Sequence, residues 1–362
     1  MGTLEASLRP ELAELVAYAP ATPPGVRVRL DANEAPPAPE AVREAARAAV
    51  ARVALERYPD ARALELKEAI AARTGAPASS LVVGTGSDEL IALLATAMAR
   101  PRGRMPSATV LAPTPTFVMY GVTARAHGLR AVSVPLDAAW DLDLAAMTKA
   151  VDVVSPNVVF VASPNNPTGN RMSRDRLEAL AAAAQDALVV IDEAYVDYTS
   201  EGSLRALRER FPNVAVLRTL SKVGLAALRV GWVEASEEIV SALDKSRQPF
   251  NVSATSQAAA AAVLREAWDA VREHVGEVVA ERARVAREID AMRGAKAHPS
   301  EANFVWIETE GPAAGVHEAM LARGVLVRSF HAAGGRMARH LRATIGTRDE
   351  NDAMLAALRE AL

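Results

Sequence analysis

Seven short runs of consecutive apolar residues punctuate the chain between residues 81 and 233. They are Leu81–Val83, Thr109–Leu111, Ala131–Val134, Val158–Val161, Leu188–Ile191, Val214–Leu217 and Val230–Val233. Their apolar positions are consecutive rather than alternating, which predicts strands buried on both faces. Helix-compatible segments separate most of them, the pattern of βαβ units in a mostly parallel sheet. The pattern then changes. Ser256 to Arg293 reads as one long helix, rich in Ala, Glu and Arg, with Val263, Trp268, Val271 and Val275 spaced for one face. A smaller alternation follows: a strand over Asn303–Ile307, a helix around Gly315–Arg323, strands over Val325–Ser329 and Leu341–Ile345, and a last helix after Thr347. Thr347 with Glu350 three residues on is a capping box for that helix.

The start of the chain differs again. Pro10, Pro20, Pro23, Pro24, Pro36, Pro37 and Pro39 prevent continuous helix and favour an extended arm. The expected fold class is α/β: a large domain with a mostly parallel seven-stranded sheet flanked by helices, plus a small α+β domain. The expected boundaries are an arm over 1–40, a large domain over 41–255, a connecting helix over 256–294 and a small domain over 295–362 that includes part of the arm.

Composition narrows the chemistry. The 362 residues are half hydrophobic, enough for a sizeable core and unlike a disordered chain. The absence of cysteine removes disulfides, thiolate metal sites and cysteine nucleophiles together. A net charge of −3 with mixed signs offers no broad basic surface for nucleic acid. No apolar run is long enough for a membrane span, and Glu5, Glu11 and Glu14 sit where a signal peptide would be basic and apolar. A soluble cytoplasmic protein is therefore expected, with no nucleic-acid or membrane partner. The six histidines show no metal-ligand spacing, so no metal is expected, and the scattered tryptophans read as packing. Of the 41 basic residues only Lys67, Lys149, Lys222, Lys245 and Lys296 are lysines. Arginine holds anions in a fixed fork, whereas lysine can lose its proton and become a nucleophile.

Open parallel sheets bind ligands beyond the carboxyl ends of their strands, so the residues following each run matter most. Gly84–Glu89 opens a helix with small residues, either a phosphate site or an ordinary strand-to-helix turn; neither the dinucleotide fingerprint nor the Walker A motif is matched. Ser163–Gly169 holds Asn165, Asn166, Pro164 and Pro167, a rigid loop that aims an amide into a cleft or simply turns. Asp192 ends a buried run and calls for a cationic partner unless it caps a helix. Lys222 follows the run ending at Leu217, and is either a partly desolvated nucleophile or a solvated loop residue. An amine, a carboxylate, a tyrosine (Tyr195), an asparagine and a phosphate cradle at the ends of one sheet are what pyridoxal phosphate needs.

These motifs carry a family resemblance. Gly84–Glu89, Pro164–Gly169, Asp192–Tyr195 and Thr219–Lys222 resemble, in order and approximate spacing, the signature series of the fold-type I pyridoxal-phosphate-dependent aminotransferases. Within them, Leu30–Glu34, Arg57–Asp60, Val327–Phe330 and Leu341–Thr347 are most similar to the histidinol-phosphate aminotransferase group.

The resemblance implies the following roles. Lys222 would link covalently to the cofactor and then shuttle a proton. Asp192 would pair with the ring nitrogen, and Tyr195 and Asn166 would bond the ring oxygen. Ser87, Asp88, Thr219, Ser221 and Arg229 would hold the cofactor phosphate, with Tyr58 reaching it from the other subunit of a homodimer. Phe117 would stack on the ring. Tyr18, Asn33, Arg328 and Arg342 would receive the substrate, a phosphorylated amino alcohol in one half-reaction and glutamate or 2-oxoglutarate in the other. Three positions depart from the family pattern: Phe117 replaces a tyrosine, Ala35 replaces an asparagine, and Arg229 follows Lys222 one residue sooner than in many members. Other outcomes are an aromatic amino acid aminotransferase, a decarboxylase of a phosphorylated amino acid, or a non-catalytic ligand-binding or regulatory protein that keeps the fold.

Overall fold

The computed structural model describes residues 8–17 and 23–362. Its first eight strands are β1 (Val28–Leu30), β2 (Leu81–Thr85), β3 (Thr109–Thr114), β4 (Arg130–Pro135), β5 (Val158–Ala162), β6 (Leu188–Asp192), β7 (Val214–Thr219) and β8 (Val230–Glu234). Four more follow: β9 (Ala295–His298), β10 (Phe304–Thr309), β11 (Val325–Ser329) and β12 (His340–Thr344). Each of the seven apolar runs lies in one strand of a single sheet, in the order β2-β8-β7-β6-β5-β3-β4. Only β8 runs against its neighbours β2 and β7; the pairings β7-β6, β6-β5, β5-β3 and β3-β4 are parallel.

Consecutive apolar residues are explained by two cores. Phe160 and Val190 face a cluster with Leu90, Leu94 and Tyr120. Their chain neighbours Val159, Val161, Val189 and Ile191 face the opposite cluster with Leu177 and Leu180. Successive side chains of a strand point to opposite faces, so a sheet covered on both sides needs apolar residues at every position. Each fully buried Val, Leu, Ile or Phe contributes about 1.5–3 kcal/mol. Strand β4, at the sheet's edge, lacks the second neighbour and is mostly exposed or half-buried.

The second sheet has the order β1-β11-β12-β10-β9. Two of its strands lie outside the runs expected from the sequence, β9 and the arm strand β1. Three residues are too few to show a period, and β1 forms because β11 offers a parallel partner, pairing Val28 with Val325 and Leu30 with Val327. The arm is further tied down where the Asn33 N–H donates to Thr344 Oγ1 at 3.0 Å and Asn303 Nδ2 donates to the Asn33 carbonyl at 3.0 Å. The last helix, Arg348–Ala361, carries the capping box of Thr347 and Glu350.

One expected element divides in two. The long helix over 256–293 is a pair, Ala254–Glu266 and Trp268–Asp290, separated at Ala267 with φ −129° and ψ 12°. No Gly or Pro marks the break. Trp268 is buried and Arg73 lies over its ring at 5.4 Å from the centroid. The first helix packs mainly on helices Glu40–Val50 and Leu64–Thr74, whereas the second only brushes Glu40–Val50 and packs mainly on β9 and the last helix, so their apolar stripes aim at different surfaces.

Candidate active site

A cavity of about 260 Å³ opens beyond the carboxyl ends of β2, β5, β6 and β7, walled on its other side by the arm, β11 and β12. Its lining includes Asn33, Ser87, Asp88, Phe117, Asn166, Asp192, Tyr195, Thr219, Ser221, Lys222, Arg229, Arg328 and Arg342. The structure thus brings together all the sequence-predicted site residues except two. Tyr58 is 81% exposed, stacks on Phe250 with ring centroids 4.7 Å apart, and lies outside this lining. Tyr18 lies outside the described residues.

Asp192 is the last residue of β6 and is buried. One carboxylate oxygen accepts a 2.6 Å hydrogen bond from the Tyr120 phenol, the other a 3.0 Å bond from the Ala194 N–H. Burial pushes this carboxyl up to about 6, against the opposing pull of those two bonds. Glu193, the next residue, points the other way and accepts from the Ser203 hydroxyl at 2.7 Å. Tyr120 itself is buried, stacked on Phe160 at 4.6 Å, and its phenol is raised well above its usual range by burial and by the adjacent acid. The sequence-based reading missed Tyr120. Its spacing of three from Phe117, near one helical turn, was the available signal.

Lys222 sits in a short turn, Ser221–Leu225, kinked at Val223 and Gly224 and one residue past the end of β7. The turn is fixed at its backbone, where the Tyr198 phenol donates to the Lys222 carbonyl at 2.5 Å. Gly224 adopts φ 88°, and a Cβ there would come within 3.4 Å of Ala38 in the arm. The Lys222 Nζ lies 6.0 Å from the centroid of the Tyr195 ring. Tyr195 is buried and its phenol oxygen accepts a 2.8 Å hydrogen bond from Asn33 Nδ2. The arm thereby orients a cavity residue of the large sheet.

At the β2 end, helix Gly86–Ala97 presents its first turn to the cavity. Its neighbour β8 comes so close that a Cβ on Gly231 would lie 2.9 Å from the Ser87 nitrogen. A Cβ on Gly86 would meet the Arg229 guanidinium at 2.6 Å. Arg229, at φ 51°, donates to Ser221 Oγ at 3.2 Å and to Asp88 at 3.4 Å. The hydroxyls of Thr219 and Ser221 are 2.9 Å apart. The one-residue-shorter spacing between Lys222 and Arg229 thus still brings the guanidinium to this cluster.

On the small-sheet wall, register places Arg328 of β11 directly opposite Arg342 of β12. Arg342 is buried and donates to Asn166 Oδ1 and, at 2.6 Å, to the Asp31 carbonyl. Asn165 is fully buried and serves the loop instead, donating to Thr168 at 2.8 Å and to the Pro115 carbonyl at 3.0 Å. Arg29 also lines the cavity, a residue the sequence reading missed because a three-residue strand in a proline-rich arm carries no pattern.

These residues fit pyridoxal phosphate. A buried acid whose side-chain hydrogen-bond partner among the described residues is a neutral phenol suits a protonated ring nitrogen. Two glycines that a Cβ would crowd, a helix N-terminus, two hydroxyls and a guanidinium suit a phosphate. An amine on a restrained turn suits the covalent link. Fold and site together define a pyridoxal-phosphate-dependent transferase.

Comparison with known proteins agrees. The model of the family described as aminotransferase class I and II matches residues 27–358, and the chain belongs to that family. It is similar to the histidinol-phosphate aminotransferase of Chromobacterium violaceum, 42% identical over 359 residues and 98% of each chain. The enzyme of that name from Aquifex aeolicus is 39% identical over 352 residues, 97% of each chain. Among solved structures, histidinol-phosphate aminotransferase from Sinorhizobium meliloti in complex with pyridoxal-5'-phosphate superposes with a TM-score of 0.84 at 28% identity, covering 98% of this chain and 97% of that one. The chain is a pyridoxal-phosphate-dependent aminotransferase with the fold expected from its sequence.

Proposed function

We propose that the enzyme moves the amino group of L-histidinol phosphate to 2-oxoglutarate, giving imidazole acetol phosphate and glutamate, in histidine biosynthesis. The names of the similar proteins point the same way. The observation that carries the proposal is the pair Arg328 and Arg342, side by side on the cavity wall that faces Lys222 and Asp192. Two guanidiniums, with Arg29 beside them, suit a phosphate in one half-reaction and a carboxylate in the other.

When bound, pyridoxal phosphate supplies an electron sink that makes the substrate's amine-bearing carbon acidic. The protein's own groups would do the rest. Asp192 would hold the ring nitrogen protonated, since an ionised carboxylate in a poorly solvated site favours a neighbouring cation. Tyr195 and Asn166 would bond the ring oxygen, and Phe117 would cover the ring. Ser87, Asp88, Thr219, Ser221 and Arg229 would hold the phosphate. Lys222 Nζ would take the proton from the substrate carbon and return it, as base and then acid. Asn33, Tyr18, Arg328 and Arg342 would position the substrate.

The enzyme would act as a homodimer in the cytoplasm. Tyr58, large, aromatic and exposed, would complete the partner's phosphate site; its stacking on Phe250 supports a preset orientation. A half-reaction assay tests the substrate. Cofactor absorbance should change rapidly with histidinol phosphate and with glutamate, and far more slowly with phenylalanine. An equal or faster change with phenylalanine would replace the proposal by an aromatic amino acid aminotransferase.

A further inference from the structure

Outside the cavity, the small sheet assembles three side chains that linear spacing does not connect. Register sets Glu308 of β10 directly opposite His340 of β12, and His298 of β9 opposite Trp306, two residues from Glu308. A strand's period of two therefore puts all three on one face. One nitrogen or oxygen ligand atom from each lies within 4.8 Å of the others, the one such group among the described residues.

The hydrogen bonding of the group is incomplete in a specific way. His340 is 3% exposed, and its Nδ1 lies 2.8 Å from the Arg336 carbonyl. A carbonyl only accepts, so Nδ1 carries the proton and Nε2 presents a lone pair. That Nε2 is buried with no hydrogen-bond partner among the described residues. The His298 Nε2 is likewise buried and approaches Glu308 Oε2 at 3.4 Å without hydrogen-bond geometry. Buried polar atoms left unpaired are uncommon in folded proteins and call for a cause. Packing alone does not supply one: Trp306 stacks on His340 at 4.7 Å, and Trp140 meets His340, Trp306 and His298 edge-on at 5.4, 6.1 and 6.4 Å. These rings fill the surroundings yet offer the nitrogens no hydrogen bond.

We propose that His298, Glu308 and His340 form a site for a late first-row divalent cation, with zinc the best match. Two imidazoles and a carboxylate suit zinc, leaving one position for water. A ligating histidine characteristically donates its other ring N–H to a carbonyl or carboxylate, as His340 does to Arg336. Ligating carboxylates are held in turn, and Arg339 holds the other oxygen of Glu308. Ligands at about 2.0–2.1 Å from zinc sit roughly 3.3 Å apart, so the side chains need close by only on the order of 1 Å. Besides Arg339 on Glu308, the cations that bear on the site are Lys296, opposite Glu308, and the guanidinium of Arg336, which lies 3.3 Å from the Trp140 centroid. An ion there would tie β9, β10 and β12 together, two residues along β12 from Arg342.

The test uses the cofactor-loaded enzyme, stripped of adventitious metal with a chelator and titrated with zinc chloride by calorimetry and against a chromophoric chelator. One site per chain is expected, weakened by at least about 100-fold in Glu308→Gln and in His298→Asn, since losing a ligand costs more than the roughly 10- to 100-fold lost when a group that only orients a ligand is removed. His127→Asn, remote from the group, should bind as the parent does. X-ray absorption of the zinc-loaded protein should show only nitrogen and oxygen neighbours, imidazole among them. Absence of binding at micromolar zinc overturns the proposal, as does unchanged affinity in both variants. Glu308 and His298 are partly exposed, so their variants decide the matter even where His340→Ala fails to fold.

Discussion

The phenol of Tyr120 donates a 2.6 Å hydrogen bond to Asp192 deep in the large domain, and the same ring lies flat on Phe160 of the neighbouring strand. The acid of the site is thereby aimed by a residue of another segment, itself aimed by the core. Replacing Tyr120 with Phe keeps the stacking and deletes the donor. A hydrogen bond to a charged group is worth about 1.5–3 kcal/mol, so cofactor affinity should fall roughly 10- to 100-fold. Because the Tyr120 bond lowers Asp192, its loss should also move the pH at which cofactor binding weakens upward. Equilibrium dialysis of the cofactor across pH measures both; an unchanged affinity would remove the positioning role.

Asp192 makes the cofactor-free enzyme pH-sensitive. Burial sets its folded value at about 6, above the ordinary 3.8. Folding therefore takes up a proton between these values. The contribution to stability is full below about pH 4 and is lost as pH rises through about 6. The cost of the buried anion at pH 8 is on the order of 3 kcal/mol. Asp192→Asn should thus stabilise the cofactor-free protein at pH 8 and have little effect at pH 4, while weakening cofactor binding. Urea unfolding at the two pH values checks this, and equal shifts at both would contradict it.

Arg342 bridges the two walls of the cavity through Asn166 and the Asp31 carbonyl. Arg342→Ala should reduce kcat/KM for histidinol phosphate on the order of 100-fold, with a much smaller loss for an uncharged amine donor. Steady-state kinetics with the two donors distinguishes anion binding from a general structural role. Equal losses would assign Arg342 to the latter.

Lys222→Ala should abolish the covalent cofactor link and reduce turnover to background, leaving non-covalent binding through Asp192 and the phosphate cradle. A visible spectrum of the variant with added cofactor, before and after denaturation and filtration, reads this directly. Retained covalent label would point to another lysine.

If Tyr58 serves the partner's site, Tyr58→Ala and Lys222→Ala proteins, each inactive, should regain activity when mixed as heterodimers. One of the two sites then carries both native residues. The mixture should approach half the parental activity per heterodimer, measured after tandem-affinity purification.

Much of the large domain was legible in the chain because its signals are local. A strand covered on both faces must be apolar at every position, so Val158–Val161 and Leu188–Ile191 could be placed without knowing their neighbours. The residues just past such runs had to lie at one edge of one sheet, which is how Lys222, Asp192 and Asn166 could be grouped before any coordinates. The small domain was less legible. β1 has three residues and exists through β11, and the break at Ala267 comes from two helices facing different surfaces, with no breaker residue to announce it.

The division has a physical basis. Periodicity, caps and strand-end motifs depend on neighbours a few residues away, and these determined the element types, the large sheet and the chemical kinds of group at its edge. Only the tertiary structure decided that Tyr120 rather than a charged partner meets Asp192, and that Arg328 lies beside Arg342. It alone brought His298, Glu308 and His340 onto one face. Such relationships join segments far apart in the chain, and they depend on register and packing, which no local pattern encodes.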